Sequence, residues 1–293
     1  MAPDSIIHSS RPQRTIAKEA SLSGIGLHAG NEVSLKFCPA EPGTGVVFQR
    51  ADLPSKPVIP ATIEYVTDTS RNTTIGIGGV VIYTIEHVLS AIKALEIDNV
   101  FVEITAPEPP IMDGSALPFF SVLEKAGVVE QNQTVNTIRI QEPIYFSQGD
   151  SHLVCIPDET FRVTYTLHYP HCKILGAQYY TTEVNTQIFK TDIAPCRTFS
   201  KYEEIAFLMD RGLIKGGSLS NSIVIKDDVV LSKGGLHFPN EPARHKALDL
   251  IGDISLVGYP FVGHIIAVRS GHAGNCALAE KICQHITSLK EIV

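Results

Sequence analysis

The sequence of 293 residues has no run of basic residues, no long apolar run and no closely spaced cysteine pair. Lysines and arginines number 24 against 31 aspartates and glutamates, a net charge of −7, so the basic surface that nucleic-acid binding requires is missing. No apolar stretch approaches the ~18 residues of a membrane-spanning helix. The amino terminus lacks a charged start followed by an apolar segment, which predicts no secretory signal peptide. We therefore expect neither nucleic-acid binding nor stable membrane insertion.

The six cysteines are sparse for a chain of this length, and none belongs to a CxxC motif. Disulfide frameworks are typical of short secreted chains, so we expect reduced thiols and a cytoplasmic protein. HExxH, GxxxxGK[ST] and GxGxxG are also missing, and no zincin helix, P-loop or dinucleotide fingerprint is predicted. Hydrophobic residues make up 44% and charged residues 19% of the chain, which excludes a disordered protein.

Each half of the chain shows the same order of strand and helix patterns. Apolar residues alternate along the predicted strands and recur every three to four residues along the predicted helices. In the first half, strands are predicted at 31–38, 45–50, 58–65 and 99–105, a hairpin at 73–83, and helices at 84–95 and from Asp113 or Ser115 to Gly127. In the second half, strands are predicted at 137–146, 152–156, 161–169, 221–226 and 262–269, and helices at 200–211, 241–257 and 273–290.

A polar segment, residues 130–134, separates the two halves and is the best candidate for a linker. We expect two similar domains, 1–130 and 131–293, each built from a sheet and helices and facing one another. The fold class is therefore predicted to be α+β. No repeat is visible residue by residue, so the duplication rests on the order of the elements.

The sharpest chemical pattern lies on the predicted helix at 241–257. His245, Asp249 and Asp253 are spaced by four residues and form a polar stripe on one helix face. Neighbours in such a stripe have Cβ atoms about 5–6 Å apart, so an imidazole and a carboxylate can share one metal ion. The stripe lacks basic partners for its two carboxylates, which favours a metal site. The alternative is a surface helix with ordinary charges.

Glu86 and His87 open the predicted helix of the first half. Consecutive helical residues diverge by about 100°, so Glu86 would not bind an ion held by His87 but could reach a water on that ion. If the equivalent helices of the two halves face each other, His87 joins His245 and Asp249. Two histidines and one carboxylate leave an open position, which is the catalytic rather than the structural pattern for zinc.

His272 follows Ser270 and Gly271, where a strand ends and the last helix begins. A lone histidine is more often structural, but a position at a strand end loosened by glycine also suits a functional group. Asp253, the last residue of the polar stripe, is not among the predicted metal ligands. A hydrogen bond from His272 to Asp253 would raise the pKa of the histidine and hold it as an imidazolium that can donate a proton.

Five motifs together resemble those of the UDP-3-O-acyl-N-acetylglucosamine deacetylases, which are zinc amidases at the committed step of lipid A synthesis in Gram-negative bacteria. They occur in the family's order and spread over nearly the whole chain: TIEH at 84–87, IMDGSALPF at 111–119, RTF at 197–199, RHKALDLIGD at 244–253 and SGHA at 270–273. SLSGIGLHAG at 21–30 is similar to the family's opening strand pair. The coincidence of five motifs makes the resemblance highly specific.

The resemblance implies Zn²⁺ as the cofactor and His87, His245 and Asp249 as its ligands. Glu86 would be the general base that takes a proton from the attacking water. His272 would be the general acid that protonates the leaving glucosamine nitrogen. The implied substrate is an acylated UDP-amino sugar, UDP-3-O-acyl-N-acetylglucosamine, and the implied enzyme is a cytoplasmic monomer.

The resemblance also assigns roles around this centre. Asp253 would orient His272, and Thr198 would support the oxyanion. Lys246 would bind substrate, Phe199 would line the sugar site, and Tyr169 would stack on uracil.

The family's fold has two α+β domains whose helices are sandwiched between the sheets, a β-α-α-β arrangement that agrees with the predicted element order. Each domain carries an insert, and the second insert forms a hydrophobic passage for the acyl chain. That insert would span Phe199 to about Lys226. Its wall residues would be Ile205, Ile214, Leu219 and Ser222, with Gly217 and Ser218 allowing close approach.

Two other protein classes fit the same ligand set. Two histidines and one carboxylate also form the facial triad of non-haem iron oxygenases, although an acid–base pair is not required for that chemistry. A non-enzymatic module that binds a nucleotide sugar or an acyl chain could use the metal as a staple. Such a module predicts a closed site with four ligands, whereas the sequence offers three.

Overall fold

The computed structural model describes residues 6–210 and 212–290. In the first half, the strands are β1 (Ile7–Ile16), β2 (Ala20–Ile25), β3 (Glu32–Pro39), β4 (Val46–Arg50), β5 (Val58–Pro60), β6 (Val66–Asp68), β7 (Thr74–Ile77), β8 (Val80–Ile82) and β9 (Val100–Ile104). The helices of this half are α1 (Glu86–Ala94) and α2 (Leu117–Ala126), with a short 3₁₀ turn at Ile63–Tyr65.

The second half adds nine strands within the described ranges: β10 (Val128–Arg139), β11 (Ile144–Gln148), β12 (Ser151–Ile156), β13 (Phe161–Tyr169), β14 (Gly176–Glu183), β15 (Phe199–Lys201), β16 (Ile223–Lys226), β17 (Val229–Leu231) and β18 (Phe261–Val268). Its helices are α3 (Thr186–Ile188), which a π-helical turn continues over Phe189–Ile193, α4 (Tyr202–Asp210), α5 (Glu241–Ser255) and α6 (His272–Lys290).

Two large sheets enclose the helices. One sheet has the strand order β2-β3-β9-β4-β5, and the other has the order β1-β10-β18-β12-β11, with β13 and β14 joined through β18. Between the sheets, α1 packs on α5, α2 packs on α1 and β2, and α6 packs on α5, β11 and β12. The predicted α+β class and the layer order β-α-α-β are confirmed.

The burial pattern follows from this layering. In β3, the apolar side chains of Val33, Leu35 and Phe37 alternate with polar ones and are buried on the helix side of the sheet, as the period of two requires. Helix α5 is instead buried over nearly all of its surface, because α1, α6 and β13 all pack against it. Its polar residues are therefore internal, and they must be paired or bind something.

Each half carries a small antiparallel or mixed sheet apart from the two layers. Strands β6, β7 and β8 form one, and β15, β16 and β17 form the other. The hairpin predicted at 73–83 is the β7–β8 pair, which turns at Gly78 and Gly79, both at positive φ. Strands β15 and β16 and helix α4 lie within 199–226, the segment predicted to be the insert, and β17 follows it.

Several predicted boundaries are wrong. The strand predicted at 58–65 ends at Pro60, and the 3₁₀ turn follows it. The polar segment at 130–134 is not an irregular linker but part of β10, which pairs antiparallel with β1 along its length. The strand predicted at 137–146 is split between the end of β10 and the start of β11.

The predicted helices are all present, with small shifts at their ends. Helix α1 begins at Glu86 rather than 84, α5 ends at Ser255 rather than 257, and α6 begins at His272. Helix α2 begins at Leu117, whose N–H donates to the Ser115 hydroxyl, and it ends as expected before Gly127 at φ +78°. Helix α4 is described to Asp210, and the predicted end at residue 211 lies outside the described residues.

Strand β1 belongs to the first half in sequence but to the other half's sheet in space, because its partner is β10. We propose that 1–130 and 131–293 nevertheless form the two domains, with β1 as a strand exchanged between them. In the described ranges, no helix combines the length and the apolar character needed to cross a bilayer.

Candidate active site

The site lies where α1 of the first half meets α5 of the second. The two backbones approach closely at Gly252, where an added Cβ would lie 2.1 Å from the carbonyl oxygen of Glu86. Only glycine permits this approach, because real Cβ atoms do not come so near to a backbone oxygen. The close approach sets the distance between Glu86 and His87 on α1 and the polar stripe on α5.

We expect Gly252→Ala to lower the free energy of unfolding by about 1–3 kcal/mol, since one methyl group must push the two helices apart. Denaturant unfolding followed by far-UV circular dichroism measures this change. Gly271→Ala is the matched control, because a Cβ there meets no atom within 4 Å. Equal stability of the two variants would contradict the close approach.

Three buried side chains bring ligand atoms together at this junction. His87 Nε2 lies 3.5 Å from Asp249 Oδ1, and His245 Nε2 lies 3.4 Å from the same oxygen. The three ligand atoms all lie within 4.8 Å of one another. Ligands bound at about 2.0–2.1 Å to a tetrahedral ion are themselves about 3.3 Å apart. The donor set and its spacing therefore fit one divalent metal ion.

The imidazole of His245 is oriented from behind. Its Nδ1 lies 3.0 Å from the carbonyl oxygen of Cys196, which leaves Nε2 directed at the ligand group, as is usual for histidines that bind metals. Burial lowers the pKa of His245 to about 4, so the ring is neutral, the form that binds a metal. Its ring meets that of His87 edge to face, with centroids 5.0 Å apart.

The second carboxylate oxygen of Asp249 accepts a hydrogen bond of 2.8 Å from Lys246 Nζ. Burial alone would raise the pKa of Asp249, but His245 and Lys246 hold it well below its usual value. The expectation that the stripe has no basic partner is therefore wrong: Lys246, three residues earlier on the same helix, is that partner. Asp249 is left with one oxygen toward the histidines.

Glu86 is buried beside the ligand group, and burial raises the pKa of its carboxyl. Its Oε2 accepts a hydrogen bond of 3.1 Å from the backbone N–H of Thr73. A buried carboxylate of raised pKa, oriented by one donor, is suited to take up a proton.

His272 and Asp253 form a second buried pair, 3.0 Å apart between Nδ1 and Oδ2. Burial would lower the pKa of His272, but the carboxylates of Asp253 and Glu86 raise it to about 9. The ring is therefore protonated at neutral pH. The contact expected from sequence is present, and two further residues hold Asp253: Asn275 Nδ2 donates to Oδ2 at 2.8 Å, and the Thr73 hydroxyl donates to Oδ1 at 2.5 Å.

Aromatic and basic side chains extend the site on one side. The Phe199 ring lies 6.3 Å from that of His245 and 6.2 Å from that of Tyr169. Tyr169 and Lys246 line a cavity of about 250 Å³, together with Arg269. The structure therefore brings Phe199, Tyr169 and Lys246 together, and it adds Arg269, which the sequence analysis did not select.

Thr198 connects the insert to the first half. Its N–H donates to the carbonyl oxygen of Gly114, and its own carbonyl oxygen accepts from Ile223, both at 2.8 Å. Gly114 has φ +85°, and a Cβ there would lie 2.0 Å from the carbonyl oxygen of Asn221. The glycine of the IMDG segment is therefore required for this contact.

The six predicted wall residues all lie in the insert, but at different depths. Ile205 on α4, Ile214 and Ser222 are half-buried, whereas Gly217, Ser218 and Leu219 are exposed in the loop between α4 and β16. This loop contacts the first half, since the N–H of Gly216 donates to the carbonyl oxygen of Leu27 at 3.0 Å. The glycine-rich segment at 24–30 contains the end of β2, which stops at Ile25, and the turn that leads to β3.

Besides Arg269, sequence reasoning missed Thr73 and Asn275. Asn275 could have been found, because it follows His272 by three residues on the same helix and so shares its face. Thr73 offered no such signal, because its contact with Asp253 spans 180 residues.

A buried group of two imidazoles and one carboxylate that could hold a metal ion, beside a glutamate and a histidine–aspartate pair, is the arrangement expected of a metal-dependent hydrolase, in which a base and an acid flank the metal. The comparisons agree with this class. The family model described as UDP-3-O-acyl N-acetylglycosamine deacetylase matches residues 13–284, and the chain belongs to this family. The resemblance seen in the sequence motifs is confirmed, and the protein is a deacetylase.

Curated relatives cover nearly the whole chain. The UDP-3-O-acyl-N-acetylglucosamine deacetylase of Chlamydia felis is 46% identical over 276 residues, which are 94% of this chain and 98% of the relative. The protein of the same name from Chlamydia muridarum is 46% identical over 283 residues, 97% of this chain and 99% of the relative. Membership of a hydrolase family argues against both the iron oxygenase and the binding module.

Proposed function

We propose that the protein hydrolyses the N-acetyl group of UDP-3-O-acyl-N-acetylglucosamine, the substrate in its relatives' names, and releases acetate and UDP-3-O-acyl-glucosamine for lipid A biosynthesis. The observation that carries the proposal is the buried His87, His245 and Asp249 group with Glu86 and His272 beside it. A nucleotide-sugar amide needs a polarised carbonyl, a base for water and an acid for the amine. This group supplies a residue for each need.

The proposed metal is Zn²⁺, held by His87, His245 and Asp249. Two imidazoles and one carboxylate are a common catalytic ligand set for zinc, with the fourth position open. A bound zinc ion would polarise the amide carbonyl and lower the pKa of water toward ~7. Lys246 neutralises the outer oxygen of Asp249, which fixes the ligand oxygen in place.

The proton transfers fall to two of the chain's own residues. Glu86 accepts a proton from the attacking water while the oxygen of that water bonds to the acetyl carbon. When the carbon–nitrogen bond breaks, the amine would be a poor anionic leaving group, so His272 donates a proton to the nitrogen. Asp253 keeps His272 protonated and oriented until that step. The hydroxyl of Thr198 is proposed to donate to the charged carbonyl oxygen.

Substrate recognition is proposed to use the cavity beside α5. Lys246 and Arg269 offer two cations to a diphosphate, Tyr169 offers a ring to uracil, and Phe199 lines the sugar position. The acyl chain is proposed to run along the insert past Ile205, Ile214, Gly217, Ser218, Leu219 and Ser222.

We also propose a cytoplasmic location and a monomeric state. None of the six cysteines forms a disulfide, which fits a reducing compartment. The monomeric state is supported by the proposed site, whose residues are drawn from both halves of one chain.

Acetate release from UDP-3-O-acyl-N-acetylglucosamine tests the proposal. We expect turnover by purified protein to disappear after chelation and to return when zinc is added. Incubation with magnesium instead of zinc is the control, because magnesium prefers oxygen ligands. If folded, zinc-loaded protein releases no acetate, the proposed substrate or activity is wrong.

A further inference from the structure

We infer that Thr73 is a positioning residue that holds the acid–base pair of one half against the proposed base of the other; this inference rests on the proposed function. Thr73 lies just before β7 and is fully buried. It belongs to neither α1 nor α5. No motif of the resemblance includes it, and its position follows from the small three-stranded sheet of the first half.

Thr73 contacts three groups of the site. Its backbone N–H donates to Glu86 Oε2 at 3.1 Å. Its hydroxyl donates to Asp253 Oδ1 at 2.5 Å. The hydroxyl oxygen of Thr73 also lies 3.3 Å from His272 Nδ1. One residue therefore fixes Glu86 through its backbone and the Asp253–His272 pair through its side chain.

The hydroxyl of Thr73 completes the set of hydrogen bonds that the Asp253 carboxylate accepts. Oδ2 accepts from Asn275 at 2.8 Å and from His272 at 3.0 Å. Among the described residues, Thr73 is the donor to Oδ1. Asp253 is fully buried, so a lost donor would not be replaced readily by water. Its carboxylate would instead rotate, and His272 would lose its fixed direction.

The backbone contact of Thr73 with Glu86 and its side-chain contact with Asp253 can be separated by substitution. Thr73→Val keeps the shape of the side chain and the backbone N–H, so the contact with Glu86 stays while the hydroxyl is lost. Thr73→Ser keeps the hydroxyl and loses a methyl group. A misplacement of about 1 Å at an acid or base can lower the rate by ~10²-fold. Thr73→Val should therefore act on the chemical step rather than on substrate binding.

Thr74, the next residue and the first of β7, provides a matched control. It is also buried, and its hydroxyl donates to Asn72 Oδ1 at 2.9 Å rather than to the site. Thr74→Val makes the same chemical change one residue away, so it reports the cost of losing a buried hydroxyl in this segment.

The experiment measures kcat and KM for acetate release by zinc-loaded wild type and the Val and Ser variants, with Tm for each. We expect Thr73→Val to lower kcat by about 10- to 100-fold with KM changed less than about twofold. Thr73→Ser should recover most of that loss, and Thr74→Val should match wild type. A second readout is the His272 Nδ1 proton in histidine-labelled protein, whose NMR signal should shift or exchange faster in Thr73→Val alone.

Thr73→Val with the kcat of Thr74→Val, or Thr73→Ser as impaired as Thr73→Val, would overturn the inference. If Thr73→Val does not fold, Thr73→Ala takes its place with the same expectations. If wild type releases no acetate, the proposed function fails, and the NMR comparison still decides the role of Thr73. An unchanged His272 signal in Thr73→Val would then reject it.

Discussion

Glu86→Gln is expected to lower kcat for acetate release by about 10²- to 10⁴-fold, the contribution of a well-placed general base. Glutamine keeps the size of the side chain and can still accept from the Thr73 N–H, but it cannot take up a proton. The three proposed ligand residues, His87, His245 and Asp249, are untouched, so zinc content should stay at the wild-type value. Steady-state kinetics and metal analysis of the same preparation measure both quantities.

Glu103→Gln is the control for this change, because Glu103 lies on β9, away from α1 and α5. Its kcat should equal that of wild type. Near-normal turnover by Glu86→Gln would remove Glu86 from the proposed role. Loss of zinc from that variant would instead show that the carboxylate contributes to metal binding.

His272→Gln is expected to lower kcat by a similar factor of about 10²–10⁴, and it should also change the pH profile. The pKa of His272 is raised from 6.5 to about 9 because Asp253 and Glu86 outweigh its burial. A general acid acts only when protonated, so wild-type kcat should hold below that value and fall as the pH rises through it. The residual activity of His272→Gln should lack this falling limb.

The measurement is kcat of wild type and of His272→Gln as a function of pH, from about pH 6 to about pH 10. His285→Gln, on the same helix α6, is the control and should keep both the rate and the limb. A falling limb that persists unchanged in His272→Gln would assign it to another group. A normal rate in that variant would remove His272 from the proton transfer to nitrogen.

The helical part of the site could be predicted because helix geometry is periodic. The spacing of His245, Asp249 and Asp253 places them on one face wherever the helix lies. The same periodicity predicts the pairing of Lys246 with Asp249, since the two residues are three apart. The comparison of the carboxylates with one another did not include this lysine.

The meeting of α1 with α5 followed only from the assumption that two similar halves face each other. Its local cause, the absence of a side chain at Gly252, is a contact between distant segments. A glycine inside a helix is visible in the sequence, but the backbone that fills its space is not.

Strand pairing over long distances explains the remaining errors. Strand β1 has few apolar residues and contains Pro12, and β10 contains the polar segment that suggested a linker. Neither shows an alternating pattern, because most side chains of the two strands are exposed or half-buried and few are buried. Their hydrogen bonds come from each other, over more than 100 residues of chain.

The pairing of β1 with β10 also affects how the chain folds while it is being synthesised. A ribosome delivers β1 first, yet β10, the strand that pairs with it in the described ranges, is complete only when residues 128–139 have been made, and the sheet also needs β18. Glu86 and His87 are synthesised well before His245, Asp249 and His272. A growing chain therefore carries no working centre until its last strand and helix are in place, and a fragment that ends before α5 would be inert and would expose an open strand edge.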